Sequence, residues 1–225
     1  SSIVSRIFDF SIPALFDLLH ADAAAALKEA ATSRNYKDGD IIHVQGETTE
    51  HMNWVESGAV AFGTLTEADG FLQMVELGQG HHYGEFVYYE CQPRKLSAQA
   101  IGPTVIMAVH FEQFRKIVEE FPEILKACFQ VTSSKNALLL EVYDDARRLP
   151  SAQRIAKMLV ILSRGRKPET SLPFTQSYFS VILGISKVTV NQTLKKLEEQ
   201  GIIELGYRFI RVLNLDKLRQ CAKRS

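Results

Sequence analysis

Between Tyr36 and His110 the chain drops helical spacing for short apolar or alternating runs, IIHV, MNWVESGAVAFGTL, FLQMVEL and TVIMAVH, broken by Gly39, Gly46, Gly58, Gly70, Gly78, Gly80 and Gly102. Strand-length runs separated by turn-forming glycines predict an antiparallel β-roll of the jelly-roll kind. Helical sequence flanks it on both sides. Residues 13–32 (PALFDLLHADAAAALKEAAT) place apolar residues at helical spacing among many alanines, predicting one or two helices beneath the sheet. Residues 111–120 (FEQFRKIVEE) read as a short helix, and Phe121-Pro122 opens a longer one that runs to Leu149, where Pro150 interrupts it. Within that helix Ile124, Cys128, Val131, Leu138, Val142 and Leu149 follow an approximate heptad seam, broken by Lys135 and Asp145. The seam predicts a dimerising helix, or else a face that covers the chain's own sheet. The fold class expected is α+β.

The 225 residues suit two modest domains, and 46% apolar with 23% charged residues is the composition of a globular protein. No apolar run nears the roughly 18 residues that cross a bilayer, and no basic segment followed by an apolar stretch opens the sequence, so the expected location is cytoplasmic, without a membrane partner. Cys91, Cys128 and Cys221 form no CxxC pair, which argues against a disulfide framework or a zinc site. Charge is divided unevenly: residues 1–150 carry 12 Lys+Arg and 21 Asp+Glu, whereas 151–225 carry 14 and 5. A basic carboxy-terminal part favours polyanions through phosphate contact and counterion release, so the asymmetry points to nucleic acid.

Residues 175–200 (TQSYFSVILGISKVTVNQTLKKLEEQ) carry the strongest signal. Thr175 can cap a helix that turns Phe179, Ile182 and Leu183 inward, and Gly184 supplies the left-handed residue of a tight corner. Ser186 caps a second helix whose Val190, Leu194 and Leu197 bury one face. That leaves Lys187, Val188, Thr189, Asn191, Gln192 and Lys195 for a groove. Ile202-Ile203-Glu204-Leu205, a turn at Gly206-Tyr207, and Arg208-Phe209-Ile210-Arg211-Val212 then read as a β-hairpin wing. Helix, turn, polar face and wing, in that order on the basic part of the chain, predict a winged helix-turn-helix that binds DNA. A two-helix hairpin of purely structural use is the competing reading.

With these parts in view, the chain resembles the cyclic-AMP receptor protein and fumarate-nitrate regulator (CRP/FNR) family of bacterial transcription regulators over nearly its whole length. The phrases that carry the resemblance are DGDIIHVQGE, WVESGAVAF and GHHYGEF in the roll, QVTSSK at 130–135, and RIAKMLVIL, ILGISKVTVNQTLKKLEEQGII and the wing. It implies a cyclic-nucleotide-binding-like sensor domain over 1–120, a dimerisation helix over 121–149 and a winged helix-turn-helix domain over 150–225. It also implies a homodimer bound to a pseudo-palindromic duplex, with RNA polymerase as a further partner, and no enzymatic role.

The family's phosphate cassette opens with Gly-Glu and closes with Arg-Ser-Ala. Here Gly84-Glu85-Phe86 keeps the opening, but the close is Leu96-Ser97-Ala98, with Arg94 and Lys95 just upstream. The resemblance therefore marks Gly84, Glu85, Phe86, Arg94, Ser97, Ala98, Thr132 and Ser133 as effector residues. Leucine cannot make an arginine's bidentate phosphate contact, so a cyclic nucleotide is the expected effector only if Arg94 or Lys95 turns inward. The alternatives are another small effector or none. Tyr83, Phe86, Tyr88 and Tyr89 could line an apolar pocket, although aromatic strand residues more often fill core. A haem on Cys91 with His81 or His82, and a cupin-type metal enzyme built on His81, His82 and Glu85, are the remaining readings. The second lacks the His-x-His spacing that sets two ligands on one strand face, and the expectation is no metal and no catalytic residue.

On the recognition helix Lys187 can donate to guanine, Gln192 can pair with adenine, and Val188 can meet only a thymine methyl. Thr189 matches a phosphate-contacting threonine of the family. Ser177, Ser186, Asn191, Lys195 and Arg208 are expected to contact the DNA backbone.

Overall fold

The computed structural model describes residues 12–67, 70–163, 171–172, 176–207 and 209–223. It divides between Ala137 and Leu138 into two compact units.

In the first unit a short 3-10 turn (Leu15–Leu18) leads into helix α1 (Ala21–Ala30), whose alanine-rich sequence turns Ala23 and Leu27 inward. Strands β1 (Thr32–Tyr36), β2 (Ile41–His43), β3 (His51–Thr66), β4 (Gly70–Leu77), β5 (His82–Tyr83) and β6 (Ser97–His110) follow, with helix α2 (Glu85–Glu90) between the last two. The sheet runs β1-β6-β3-β4, with β2 also paired to β6 and β5 to β3, and every pairing is antiparallel. Helices α3 (Phe111–Glu120) and α4 (Glu123–Arg148) come next.

The sheet buries two faces. Met52, Trp54 and Val109 pack with Leu15, Leu27, Phe114, Ile124 and Cys128 from the helices. Val55, Val60, Phe62, Leu77, Tyr83 and Ile106 form a second core within the roll.

Three features depart from the sequence reading. The polar run TSRNY forms β1, pairing Thr32 through Tyr36 with Ala108 through Thr104, although residue 32 was assigned to the helical stretch. Cross-strand hydrogen bonding to β6 supplies what apolar alternation does not. Residues 85–90 form a helix and not a strand: Tyr88 packs on Phe111 and Phe114, while Phe86 and Tyr89 stand exposed. On α4, Ile124, Cys128 and Val131 are buried, the first two in the helix-side core of the first unit, so this part of the expected seam covers the chain's own sheet. Among the described side chains, which do not include that of Leu138, the large apolar residues exposed on the helix are Leu125, Phe129, Leu139, Leu140, Val142 and Tyr143.

In the second unit α5 (Ser151–Ser163) buries Ile155, Ala156, Leu159 and Leu162, and Gln153 Nε2 donates to Ala222 O at 3.0 Å. Strand β7 (Ser171–Leu172), helices α6 (Gln176–Leu183) and α7 (Lys187–Glu199), strands β8 (Ile203–Gly206) and β9 (Phe209–Val212), and helix α8 (Leu215–Lys223) complete it. The small sheet runs β7-β9-β8, so the hairpin read as a wing gains a third strand through Leu172 opposite Ile210. Neither β7 nor α8 was foreseen. Phe179, Val190, Leu194, Ile210 and Leu218, all nearly free of solvent contact, form the interior.

Candidate DNA interface and effector pocket

The corner between α6 and α7 is fixed by polar contacts. Gly184 takes φ 62°, in the left-handed region where a Cβ is disfavoured. Ser180 Oγ donates to Ile185 O at 2.6 Å, Ile185 N donates back to Ser180 O at 3.2 Å, and Arg154 donates to Leu183 O at 2.6 Å. These bonds satisfy carbonyls that the end of α6 would otherwise leave without partners.

Ser186 caps α7 as expected: its Oγ accepts from Thr189 N at 3.1 Å and lies 2.9 Å from Thr189 Oγ1. Whichever hydroxyl donates to the other, one O–H at this helix start stays available to an acceptor such as a phosphate.

Val190, Thr193, Leu194 and Leu197 are buried along α7, and the opposite side presents Lys187, Val188, Gln192 and Lys195 to solvent. Val188 is 66% exposed, so its methyl groups are open to solvent on the same side as Lys187 and Gln192. Thr189 and Asn191 are half-buried, and Asn191 Oδ1 is turned inward without a hydrogen-bond partner among the described residues. Ser177 is exposed on α6. Arg208, Thr175 and the turn at 165–168 lie outside the described residues.

In the first unit Gly84 precedes α2 with φ 114°, and a Cβ there would stand 3.1 Å from His51 O, so the cassette opening needs glycine. Ser97 and Ala98 are wholly buried at the start of β6, and Ser97 Oγ accepts from Gln45 N at 2.9 Å. Leu96 packs against the roll core.

Arg94 does turn inward. Its guanidinium lies 5.5 Å from the centroid of the buried Tyr83 ring, and its Nε is buried without a hydrogen-bond partner among the described residues. Burial lowers the Arg94 pKa from its usual value, opposed by Tyr83 and the carboxylates of Glu47 and Glu85. His43 lies beside it: burial and the Arg94 charge push its pKa down to about 4, and its Nε2 is 3.1 Å from Leu96 O. As a neutral ring donating through Nε2, His43 keeps Nδ1 as an acceptor facing the interior. The inward guanidinium thus keeps a buried donor, Nε, without a partner among the described residues, and a neutral His43 adds no charge beside it.

Glu85 opens α2, and its charge acts on Arg94. Its Oε1 is 3.4 Å from Lys135 Nζ, with both side chains about four-fifths buried. Burial pushes its carboxyl pKa up, but His82 and Lys135 outweigh this and hold it below the usual carboxylate range. His82, fully buried, is pushed down to about 4 by burial, with Glu85 opposing and Lys135 reinforcing. Thr132 and Ser133 are exposed on α4 and Phe86 on α2, so among 132–135 it is Lys135 that meets the cassette. Sequence reasoning missed Lys135 as a site residue, although its charge interrupting an apolar seam was the signal. Cys91 is exposed while His81 and His82 are buried, and among the described residues no group of three or more His, Cys, Asp and Glu is arranged to hold a metal.

A roll with an inward arginine, followed by a capped helix with an exposed polar face and a three-stranded wing, defines a ligand-sensing roll joined in sequence to a DNA-reading module. Residues 33–121 match the cyclic nucleotide-binding domain family and residues 153–221 the Crp-like helix-turn-helix domain family. The chain is 26% identical over 169 residues to the cAMP-activated global transcriptional regulator CRP of Salmonella typhimurium, covering 72% of this chain and 80% of the relative. It is 22% identical over 220 residues to the CRP-like cAMP-activated global transcriptional regulator of Mycobacterium tuberculosis, covering 93% and 96%. Among solved structures, the c-di-GMP responsive global regulator CLP of Xanthomonas campestris superposes with a TM-score of 0.71 at 17% identity, covering 86% of this chain and 99% of that one. The chain belongs to the CRP/FNR family and is a DNA-binding transcription regulator with an effector-binding-type domain.

Proposed function

We propose that this regulator binds a pseudo-palindromic operator as a homodimer, reads it with α7, and responds to a small anionic effector held in the roll. It acts in the bacterial cytoplasm and meets RNA polymerase at the promoter. The observation that carries the proposal is the solvent-facing row Lys187, Val188, Gln192 and Lys195 on a helix capped by Ser186, within the part of the chain that holds 14 basic and 5 acidic residues. Lys187 and Gln192 read guanine and adenine edges, and Val188 meets a thymine methyl. Ser177, Ser186, Thr189, Asn191, Lys195 and Arg208 hold the backbone.

The second copy docks along α4. Leu125, Phe129, Thr132, Asn136, Leu139 and Tyr143 recur at alternating steps of four and three, the spacing of a two-helix seam, and Phe129 is 73% exposed. Lysine would be expected along a solvated face, and the central polar pair Thr132 and Asn136 fits the use of buried polar residues to set register. The domains proposed are a sensor over 1–120, this helix over 121–149 and the DNA-binding domain over 150–225.

The relatives named for activation by cAMP, together with Arg94 over Tyr83, support a nucleotide or similar anion as effector. Selection of bound duplexes from a random pool, with and without cyclic AMP, tests the whole reading. An inverted repeat with half-site centres about 34 Å apart is expected, one helical turn of DNA. A pool that enriches no sequence under either condition refutes it.

A further inference from the structure

Strand β5 sets His82 opposite Trp54 and Tyr83 opposite Asn53 on β3. Directly opposed residues share a face of the sheet. Trp54 belongs to the core beneath the helices and Tyr83 to the core inside the roll, so His82 faces the α4 side while Tyr83, carrying Arg94, faces the pocket. Glu85 lies between the two: His82, Lys135 and Cys128 on the helix side interact electrostatically with it, and so does Arg94. With a pKa held near 4 by burial, His82 is neutral at ordinary pH, so Lys135 at 3.4 Å is the cation in contact with the carboxylate, with Arg94 also acting on it.

A carboxylate only accepts hydrogen bonds, and a ligand hydroxyl is its natural neutral partner. Engaged by an ammonium under α4, the same carboxylate is a poor acceptor for anything in the roll, because a hydroxyl must compete with a charge-assisted contact in a low-dielectric setting.

We propose that Lys135 determines the ligand specificity of the roll: by holding Glu85 toward α4 it withdraws the pocket's carboxylate, so that an anionic nucleotide is bound through Arg94 without its sugar hydroxyl being read. This rests on the proposed effector site. Lys135 acts through Glu85 and is a positioning residue.

The test compares two ligands that differ by one hydroxyl, cyclic AMP and 2′-deoxy cyclic AMP, titrated calorimetrically against the full chain. The wild-type protein is expected to bind both within about twofold of each other. Lys135→Gln frees Glu85, and cyclic AMP is then expected to bind on the order of tenfold or more better than the deoxy compound, the range for a hydroxyl accepted by a charged group. Glu85→Gln combined with Lys135→Gln returns the ratio to near one. A merely structural role for Lys135 would weaken both ligands together and leave the ratio unmoved. Should Lys135→Gln not fold, Lys135→Ser removes the ammonium with a smaller side chain and gives the same comparison. A wild-type preference for cyclic AMP as large as the variant's, or a ratio unchanged by removing Lys135, overturns the proposal while leaving the effector site standing. If neither nucleotide binds the wild type or any variant, the effector reading falls and the inference falls with it.

Discussion

Ser186 caps α7 and is proposed to face the DNA backbone, and one pair of substitutions separates the two. Its Oγ accepts the Thr189 amide at 3.1 Å, closing one of the unpaired N–H groups at the start of α7. Ser186→Ala removes that acceptor and costs about 1 kcal/mol, the usual value for an N-cap at an exposed helix start where water replaces part of the bond. Confined to local opening of the first turn, this is a factor of about 5 in the opening equilibrium, so native-state hydrogen exchange of the Thr189 amide should quicken roughly fivefold. Ser186→Asp keeps the acceptor and adds a negative charge that the helix start favours by about 0.3–1 kcal/mol, so exchange should stay slow or slow further. The same charge faces the phosphates of a bound duplex, and operator affinity should fall by at least about tenfold. The two readouts thus move in opposite senses for Ser186→Asp. A Thr189 amide that exchanges alike in wild type and Ser186→Ala would mean that the cap contributes nothing. An Asp variant that binds its operator as well as wild type would remove Ser186 from the DNA-facing side.

Three further outcomes follow from the geometry. Lys195→Gln should reduce the slope of log affinity against log salt by about 1.8 per dimer, one phosphate contact per subunit, without changing which operator is selected. Phe129→Lys places a charge in the proposed seam and should turn dimer into monomer in sedimentation at micromolar concentration; an unchanged mass would exclude that face. His43 and His82 both have pKa values held near 4 by burial, below the unfolded value of 6.5, so the unfolded chain binds protons first as the pH falls. Their contribution is therefore intact above about pH 6.5 and is lost on the way to pH 4, at about 1.4 kcal/mol per pH unit for each ring within that window. Urea midpoints measured from pH 7.5 to 4.5 should decline accordingly, and His82→Phe should flatten the decline. A curve equally steep in the variant would assign the loss to other groups.

The parts most legible in the sequence were those where one local rule decides. Ser186, Gly184 and the Val190, Leu194, Leu197 stripe each answer to helix capping, left-handed backbone or helical period, and all three stand where those rules put them. The strands β3 and β6 were legible for the same reason, as apolar residues in them recur on buried faces over 16 and 14 residues. What escaped was whatever depends on a distant partner. The strand TSRNY is polar and exists because β6 offers it hydrogen bonds, and β7 is two residues held by β9. On α4 the period left two uses open for one seam, and Ile124 and Cys128 cover the chain's own sheet, because a helix packed on its sheet can carry two apolar stripes and the period alone does not say which of them faces the roll.

The effector pocket combines both situations. Gly84 announces the cassette by its local backbone demand, but whether Arg94 can stand in for a residue two places further on depends on how the loop before β6 is drawn. That loop is held by two backbone bonds, Arg94 N to Glu47 O at 2.8 Å and Gly46 N to Arg94 O at 2.9 Å. These tie residue 94 to the β2–β3 connection and leave its side chain to reach Tyr83, while Leu96 takes a place in the apolar core. The inward cationic group is thus displaced along the chain and not lost. Replacing Arg94 by Gln should then weaken any anionic effector by far more than replacing Lys95, which is exposed beside it. Equal losses from the two substitutions would mean that the inward arginine is a packing residue, and that the roll senses by some other group.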